Sequence, residues 1–578
     1  MNSKNSFSPE KEERSTAMRK RHQGFTKILC AVLCLFMAAM LGACDIVKHF
    51  AATPSVTTTQ ERETTLPPPI LQEPSSDATL HRVAYIPIDN RPVNKERVEY
   101  LAQSVGIELL MPSEELYRTA LDNMEPNADG STAGDRKALL EWLLEADKTC
   151  DHFIISLDQM TSGGLVSSRW LSNQDLNLEY EIIDAILALS QNNTVYVFDT
   201  VMRLASTVGY QGYQLEEYNA FRAYGRVERK LLEKEELTIE SIVAGYAYDQ
   251  NGDRIAIDVS EQARASYHAS RERKLKILDY LLRSQKGKID FLYIGVDDSS
   301  PQNTIQTNEI CYIKSLMREG DVLSAATDEL GLCCLARMAS DFYGAAKVSL
   351  SYFGPGKDQP ADGYDIGTLD ESAKMHLSAL SVLPTEADSE ALQVLFLTYG
   401  SKNDHRTALL EKLKANQREN IPTALIDVSE SPELLAEILI GDGEIDLCRL
   451  LGYSSWNTVA NAMGIALSQS VARYAYLRFV ESSSAQANAG FLSSMTFAYV
   501  KDISYKCFSN NLEDLANDSS PCSVQKVIAR INNGSIITSL KDFQPLSHGD
   551  VEVSDFRYPW SRTFEMTFCI KIYEKEGK

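Results

Sequence analysis

From residue 82 onward, short apolar runs alternate with amphipathic stretches, and this rhythm limits the fold more than any single residue does. The runs are "RVAYIPI" (82–88), "IELLMP" (107–112), "HFIISL" (152–157), "TVYVFD" (194–199), "DFLYIGV" (290–296), "VLSAAT" (322–327) and "KVSLSYF" (347–353). Helical patterning is read between them at 137–146, 216–237, 271–285 and 328–342. Strands that are apolar throughout must be covered on both faces, which calls for parallel β/α units. Seven such units predict an α/β fold, either barrel-like or a large doubly wound sheet. A second α/β region follows, with apolar runs at 392–400, 422–429 and 446–458 and a long helix rich in small residues at 457–482. The end of the chain is mixed, and 562–574 alternates like a half-buried strand. The organisation read from these signals is a β/α catalytic-type domain at 81–385, a second α/β region at 386–485 and a C-terminal mixed region at 486–578, preceded by a signal segment (1–43) and a tether (44–80).

The beginning of the chain carries a different message. "MRKRHQGFTK" (18–27) is basic, a sixteen-residue apolar run covers 28–43, and "LGAC" (41–44) sets small residues before a cysteine. That order is a secretory signal with a cleavage site, and it resembles the bacterial lipoprotein signal, in which Cys44 becomes the lipidated N-terminus. The run is shorter than the twenty or so residues a membrane span needs. Met18 is an alternative start, because the residues before it dilute the basic stretch. Residues 45–78, rich in Thr, Pro and Ser, read as an extended tether. The expected location is therefore the extracytoplasmic face of the cell membrane. Residues 1–43 hold seven basic and three acidic side chains, so the remainder has a net charge of −27 against −23 for the whole chain. An acidic body of that kind argues against nucleic acid as a partner. Of the eight cysteines beyond Cys44, only Cys507 and Cys522 lie in a stretch polar enough to read as a disulfide.

Polar residues gather where parallel β/α folds place their sites, at the carboxyl ends of strands. The strand ends supply Asp89, Arg91 and Asn94; Ser156, Asp158 and Arg169; Asp199 and Arg203; Asp297, Asp298 and Asn303; Asp328 and Glu329; and Tyr453, Trp456, Asn457 and Asn461. Each has a structural reading. Asp328 and Glu329 would cap the helix at 328–342, Asp89 and Arg91 would form a buried pair, "SGGL" would be a tight or anion-binding turn, and Asn457 would cap the helix after it. Asp297 and Asp298 fit the structural reading least well. Two adjacent carboxyls push their pKa values apart, which provides an acid and an ionised stabiliser near neutrality. They are the expected catalytic residues, and Asp89, Arg91, Asn94, Asp158, Arg169, Arg203, Trp456 and Asn457 the expected substrate-binding ones. A dinucleotide-binding GxGxxG after the first strand, a Walker loop, a GxSxG elbow and a zinc motif are all missing from the sequence. No cofactor is therefore expected and no metal site is assigned, although the carboxylates leave a divalent ion open.

"YIPIDNRPVN", "SLDQMTSGGLVSSR", "DDSSP", "TDELGLCCLAR", "GYSSWNTVANAMG" and "PWSRTFE", in that order, resemble domain-of-unknown-function family 4127, an uncharacterised bacterial family, over about residues 82–575. The chain departs from the usual pattern in "SSWNT", where a Gly before the Trp is expected. A fainter likeness is to the retaining β-N-acetylglucosaminidases that include the O-GlcNAcases and hyaluronidase-like enzymes, in which adjacent aspartates close a barrel strand. That likeness implies that Asp297 orients the substrate acetamido group, Asp298 acts as general acid/base, Asn457 binds hydroxyls and Trp456 stacks on the sugar. The expected function is a lipid-anchored, glycoside-hydrolase-like protein acting on N-acetylhexosamine-containing glycans. The alternative is a non-catalytic lipoprotein that binds a sugar or a cell-wall fragment, with Arg91, Arg169 and Arg203 gripping a carboxylate or phosphate.

Overall fold

The computed structural model describes residues 81–360, 363–386, 390–455, 458–515, 519–541 and 545–573. Cys44, Trp456 and Asn457, and the signal and tether, lie outside the described residues.

Two open parallel sheets carry the fold. The first contains β1 (His81–Ile86), β2 (Ile107–Leu110), β3 (His152–Ser156), β4 (Thr194–Val201), β5 (Phe291–Val296) and β6 (Val322–Ala325), in the order β2-β1-β3-β4-β5-β6. The second contains β7 (Lys347–Phe353), β8 (Leu383–Pro384), β9 (Leu392–Leu397), β10 (Thr423–Asp427) and β11 (Leu450–Ser454), in the order β11-β10-β9-β7-β8. Neither sheet closes, so the doubly wound arrangement forms rather than the barrel. The strand at 347–353 pairs with β9, which puts it in the second sheet although its rhythm continues that of the first. A small antiparallel ribbon, β12 (Asp550–Arg557) with β13 (Thr567–Tyr573), ends the described chain.

Period-2 geometry explains the apolar strands of the first sheet. Val83, Tyr85, Ile154, Phe198 and Tyr293 enter one core. Their neighbours Ala84, Ile86, Phe153, Ile155, Val197 and Ile294 enter a second core on the opposite face. The second core is covered by α1 (Arg136–Ala146), α2 (Asn177–Leu189) and α3 (Glu261–Gln285). The first core continues through α4 (Leu330–Tyr343) into the second sheet.

Between the sheets lies α5 (Val459–Phe479), buried on all sides from Ala460 to Leu477. Small and apolar side chains on most of its circumference suit it to an interior, and its buried Arg473 donates to the Ser104 (2.5 Å) and Ala487 (3.3 Å) carbonyls. Its small residues permit close approach: a Cβ on Gly464 would stand 2.2 Å from the Glu329 side chain. Likewise a Cβ on Gly331 of α4 would stand 2.2 Å from the Tyr85 hydroxyl. The amphipathic run at 216–237 stops early, as a helix over Leu215–Arg226. Arg229, just beyond it, donates to the backbone carbonyls of Tyr224 (3.0 Å) and Tyr246 (3.2 Å), which ties the following segment down in an irregular path.

Cys507 and Cys522 are not bonded to each other. The Cys507 thiol donates to the Asp502 carbonyl at 3.1 Å, and Cys522 is buried. The polar stretch around them predicts a bridge, but each finds its place in the packing as a thiol. No helix among the described residues is long and apolar enough to cross a membrane.

Candidate functional site

In the first sheet the chain runs from β1 outward to β2 and then returns past β1 to β3, so its winding reverses there. In open α/β sheets ligands bind beyond the carboxyl ends of strands at such a reversal. The loops after β1, β3, β4, β5 and β6 all deliver charged side chains to this edge.

After β1, Asp89 is fully buried and organises its own loop. It accepts from the Arg91 backbone N–H (3.0 Å), Arg91 Nε (2.9 Å) and Asn94 Nδ2 (2.8 Å). The Asn94 carbonyl in turn accepts from the Tyr85 hydroxyl at 3.0 Å. Arg91 also meets Asp328 at 2.7 Å and Glu565 at 3.4 Å. Its guanidinium lies 5.0 Å from the Trp560 ring, whose Nε1 donates to Asn90 Oδ1 at 3.0 Å. Asp328 is therefore an ion-pair partner, while α4 begins beside Glu329 without a side-chain cap. Burial pushes the Asp328 carboxyl up to about 7, against the pull of Arg91, with Glu565 and Asp89 adding to the rise. Glu329 is fully buried, 3.4 Å from His376 Nε2.

After β3, the SGGL segment is a tight turn between two short helices. Gly163, at φ +76°, ends Leu157–Ser162 in the left-handed region that suits glycine. Gly164 precedes Leu165–Ser168, and the Leu165 N–H donates to the Ile88 carbonyl at 3.2 Å. The turn thereby aims Arg169 across the edge. Its Nη1 donates to Thr207 Oγ1 at 2.9 Å and its Nη2 pairs with Asp297. Asp158 is placed differently. It is fully buried with Asp199 around Lys274 of α3, and accepts from Thr200 Oγ1 at 2.7 Å. Burial beside Asp158 pushes Asp199 up to about 8. This group braces the sheet beneath the edge.

After β4 and β5 the two aspartates part. Asp297 is buried, and Thr327 Oγ1 donates to it at 3.3 Å. Burial raises its pKa, with Arg169 opposing and Asp298 adding to the rise. Asp298 sits at φ +21°, where residues with a Cβ are strained. It pairs with Arg203 at 3.0 Å and keeps 32% of its side chain exposed. The strained turn is held by Ser299 N–H donating to the Tyr364 carbonyl at 2.6 Å. Asn303 turns away and donates to the Arg229 carbonyl at 2.7 Å.

The edge is completed by the segment before β13. Trp560, Arg562 and Glu565 reach it from 470 residues along the chain. The motif "PWSRTFE" carries the family resemblance but no local signal of a role for these residues, and Thr207, Lys274 and Thr327 are not among the residues the sequence marks as candidates. Lys274 did leave a signal: with Arg271 it falls on the helical stripe that Leu278 and Leu281 carry into the core.

The structure thus brings together Asp89, Arg91, Asn94, Arg169, Arg203, Asp297 and Asp298, and puts Asp158 in a separate buried cluster. Among the described residues no group of three or more His, Cys, Asp or Glu side chains could hold a metal ion. The family described as "Protein of unknown function (DUF4127)" matches residues 83–569, and the chain belongs to it. No curated protein matches the chain, and no solved structure does.

Proposed function

We propose that this member of the family is a lipid-anchored extracytoplasmic protein whose charged edge hydrolyses a glycosidic bond in a polar glycan by carboxylate acid/base chemistry. The observation that carries the chemistry is Asp328. It is buried against Arg91 at a strand's carboxyl end, with its pKa pushed up to about 7. A carboxyl poised near neutrality can give a proton to a leaving oxygen and take it back from water. Asp298, partly exposed and paired with Arg203, supplies negative charge for an oxocarbenium-like transition state. Asp297 sits behind it, held by Arg169 and Thr327, and sets the direction of the loop. Attachment to the membrane rests on residues 18–44 and their lipoprotein-like order.

The test is a panel of aryl glycosides that includes aryl N-acetylhexosaminides, assayed between acid and mildly alkaline pH. Asp328→Asn and Asp298→Asn should each lower kcat by about 10²–10⁴-fold. A wild-type chain that cleaves no glycoside in the panel counts against hydrolysis.

One observation favours a second reading, in which the edge binds a glycan without cleaving it. Asp89, Asp297, Asp298 and Asp328 each already face an arginine. Such an edge is built for recognition, and a binder would show ligand-induced thermal stabilisation without turnover.

A further inference from the structure

The loop after β4 gathers three arginines on three successive residues. Arg203 Nη2 donates to the Ser206 carbonyl at 2.9 Å. Arg169 Nη1 donates to Thr207 Oγ1 at 2.9 Å, and the same hydroxyl lies 3.5 Å from Arg203 Nη2. Arg562 Nη2 donates to the Val208 carbonyl. The three come from the turn after β3, the end of β4 and the C-terminal segment. No local regularity brings them together.

Two of these cations have carboxylates: Asp297 for Arg169 and Asp298 for Arg203. Arg562 has no carboxylate within ion-pair distance among the described residues. It is held instead by the rings of Trp560 (6.0 Å) and Phe564 (5.7 Å). Burial, with the nearby charges of Arg203, Arg91 and Arg169 adding to it and Glu565 opposing, lowers its pKa to about 10, so like charge outweighs the carboxylate near it. Two buried polar atoms beside the loop also lack a hydrogen-bond partner among the described residues, Arg169 Nε and Ser206 Oγ. Like charges brought together under burial, with unused donors beside them, are costly unless an anion joins them.

We propose that Arg562, Arg203 and Arg169, arranged around loop 206–208, form an anion-binding subsite for a carboxylate or phosphate group on the ligand. This deepens the reading of the edge as a glycan site and rests on it, naming an acidic glycan as the ligand class. A guanidinium fork matches either oxyanion. Arg562 contributes a charge that no described carboxylate meets at ion-pair distance, and Arg169 and Arg203 remain tethered as the rigid base of the subsite.

The experiment is calorimetric titration of the full chain at fixed ionic strength with four probes: D-glucuronate, D-glucose 6-phosphate, inorganic phosphate and D-glucose. Saturable binding of glucuronate but not phosphates assigns a carboxylate, and the converse assigns a phosphate. Either supports the subsite, provided that glucose binds at least about tenfold more weakly. Arg562→Gln should weaken the anion at least about tenfold, and Arg562→Lys, which keeps charge but loses the fork, should weaken it less. Arg283→Gln, on an exposed face of α3, should leave binding unchanged. The unfolding midpoint of each variant without anion reports its fold. Should Arg562→Gln fail to fold, Arg562→Lys decides by the same comparison. The subsite is overturned if no anionic probe binds, if Arg562 variants bind like wild type, or if glucose matches glucuronate. Loss of the subsite with glycosidase activity intact leaves the proposed function standing. Anion binding without turnover across the glycoside panel does the reverse.

Discussion

The two halves of the charged edge use the same residue types with opposite bias. Around Arg91, one guanidinium meets three carboxylates, those of Asp89, Asp328 and Glu565. Around loop 206–208, three guanidiniums meet two carboxylates, those of Asp297 and Asp298. Each half contains one strongly shifted group. Asp328 is pushed up to about 7 in the first half and Arg562 down to about 10 in the second. Burial drives both shifts, and the local excess of like charge adds to it. A site segregated in this way can hold a movable proton at one end and an anionic group at the other, inside a chain whose overall charge is strongly negative.

The largest expected effect contrasts the two halves directly. Arg91→Ala leaves three buried carboxylates without their shared partner and should destabilise the fold by about 3–5 kcal/mol in denaturant unfolding. Arg562→Ala should cost clearly less, because it relieves repulsion while it removes ring contacts. Equal losses would break the asymmetry. A smaller effect concerns pH. Asp328 has a folded pKa raised above its unfolded value, so the folded state holds the extra proton between about pH 4 and 7. Its contribution to stability therefore falls as pH rises through that window, by at most about 1.4 kcal/mol per pH unit. Asp328→Asn should flatten the stability–pH curve there, and an unchanged slope would remove the claim that the acidic half retains a proton. The smallest is Trp560→Phe, which deletes the bond to Asn90 and should cost about 1 kcal/mol, measured as a lower unfolding midpoint. It sharpens the comparison by asking how firmly the C-terminal segment is pinned to the acidic half.

Much of this is legible in the sequence. The apolar strands declared parallel β/α units because both of their faces are buried, and the long small-residue helix declared itself interior. Asp89, Arg91, Arg169, Arg203, Asp297 and Asp298 could be picked out because they follow strands. What could not be read was closure: an open sheet and a barrel share the same local rhythm, and only strand order separates them. Nor could local reading show which aspartate faces which arginine. Asp328 had the pattern of a helix cap, yet its partner is Arg91, more than two hundred residues earlier. Trp560, Arg562 and Glu565 are the clearest case. They follow an antiparallel strand, not a parallel one, so the rule that locates sites at strand ends passes over them. Lys274 was legible as an oddity on an apolar stripe, but not as the partner of Asp158 and Asp199.

The claim that the acidic half retains a proton at neutrality is tested most directly by a carboxyl NMR titration of the full chain, with the Asp328 resonance assigned by its loss in Asp328→Asn. The account predicts a midpoint of about 7 for Asp328. A midpoint of about 4, the ordinary value for an aspartate, would contradict it.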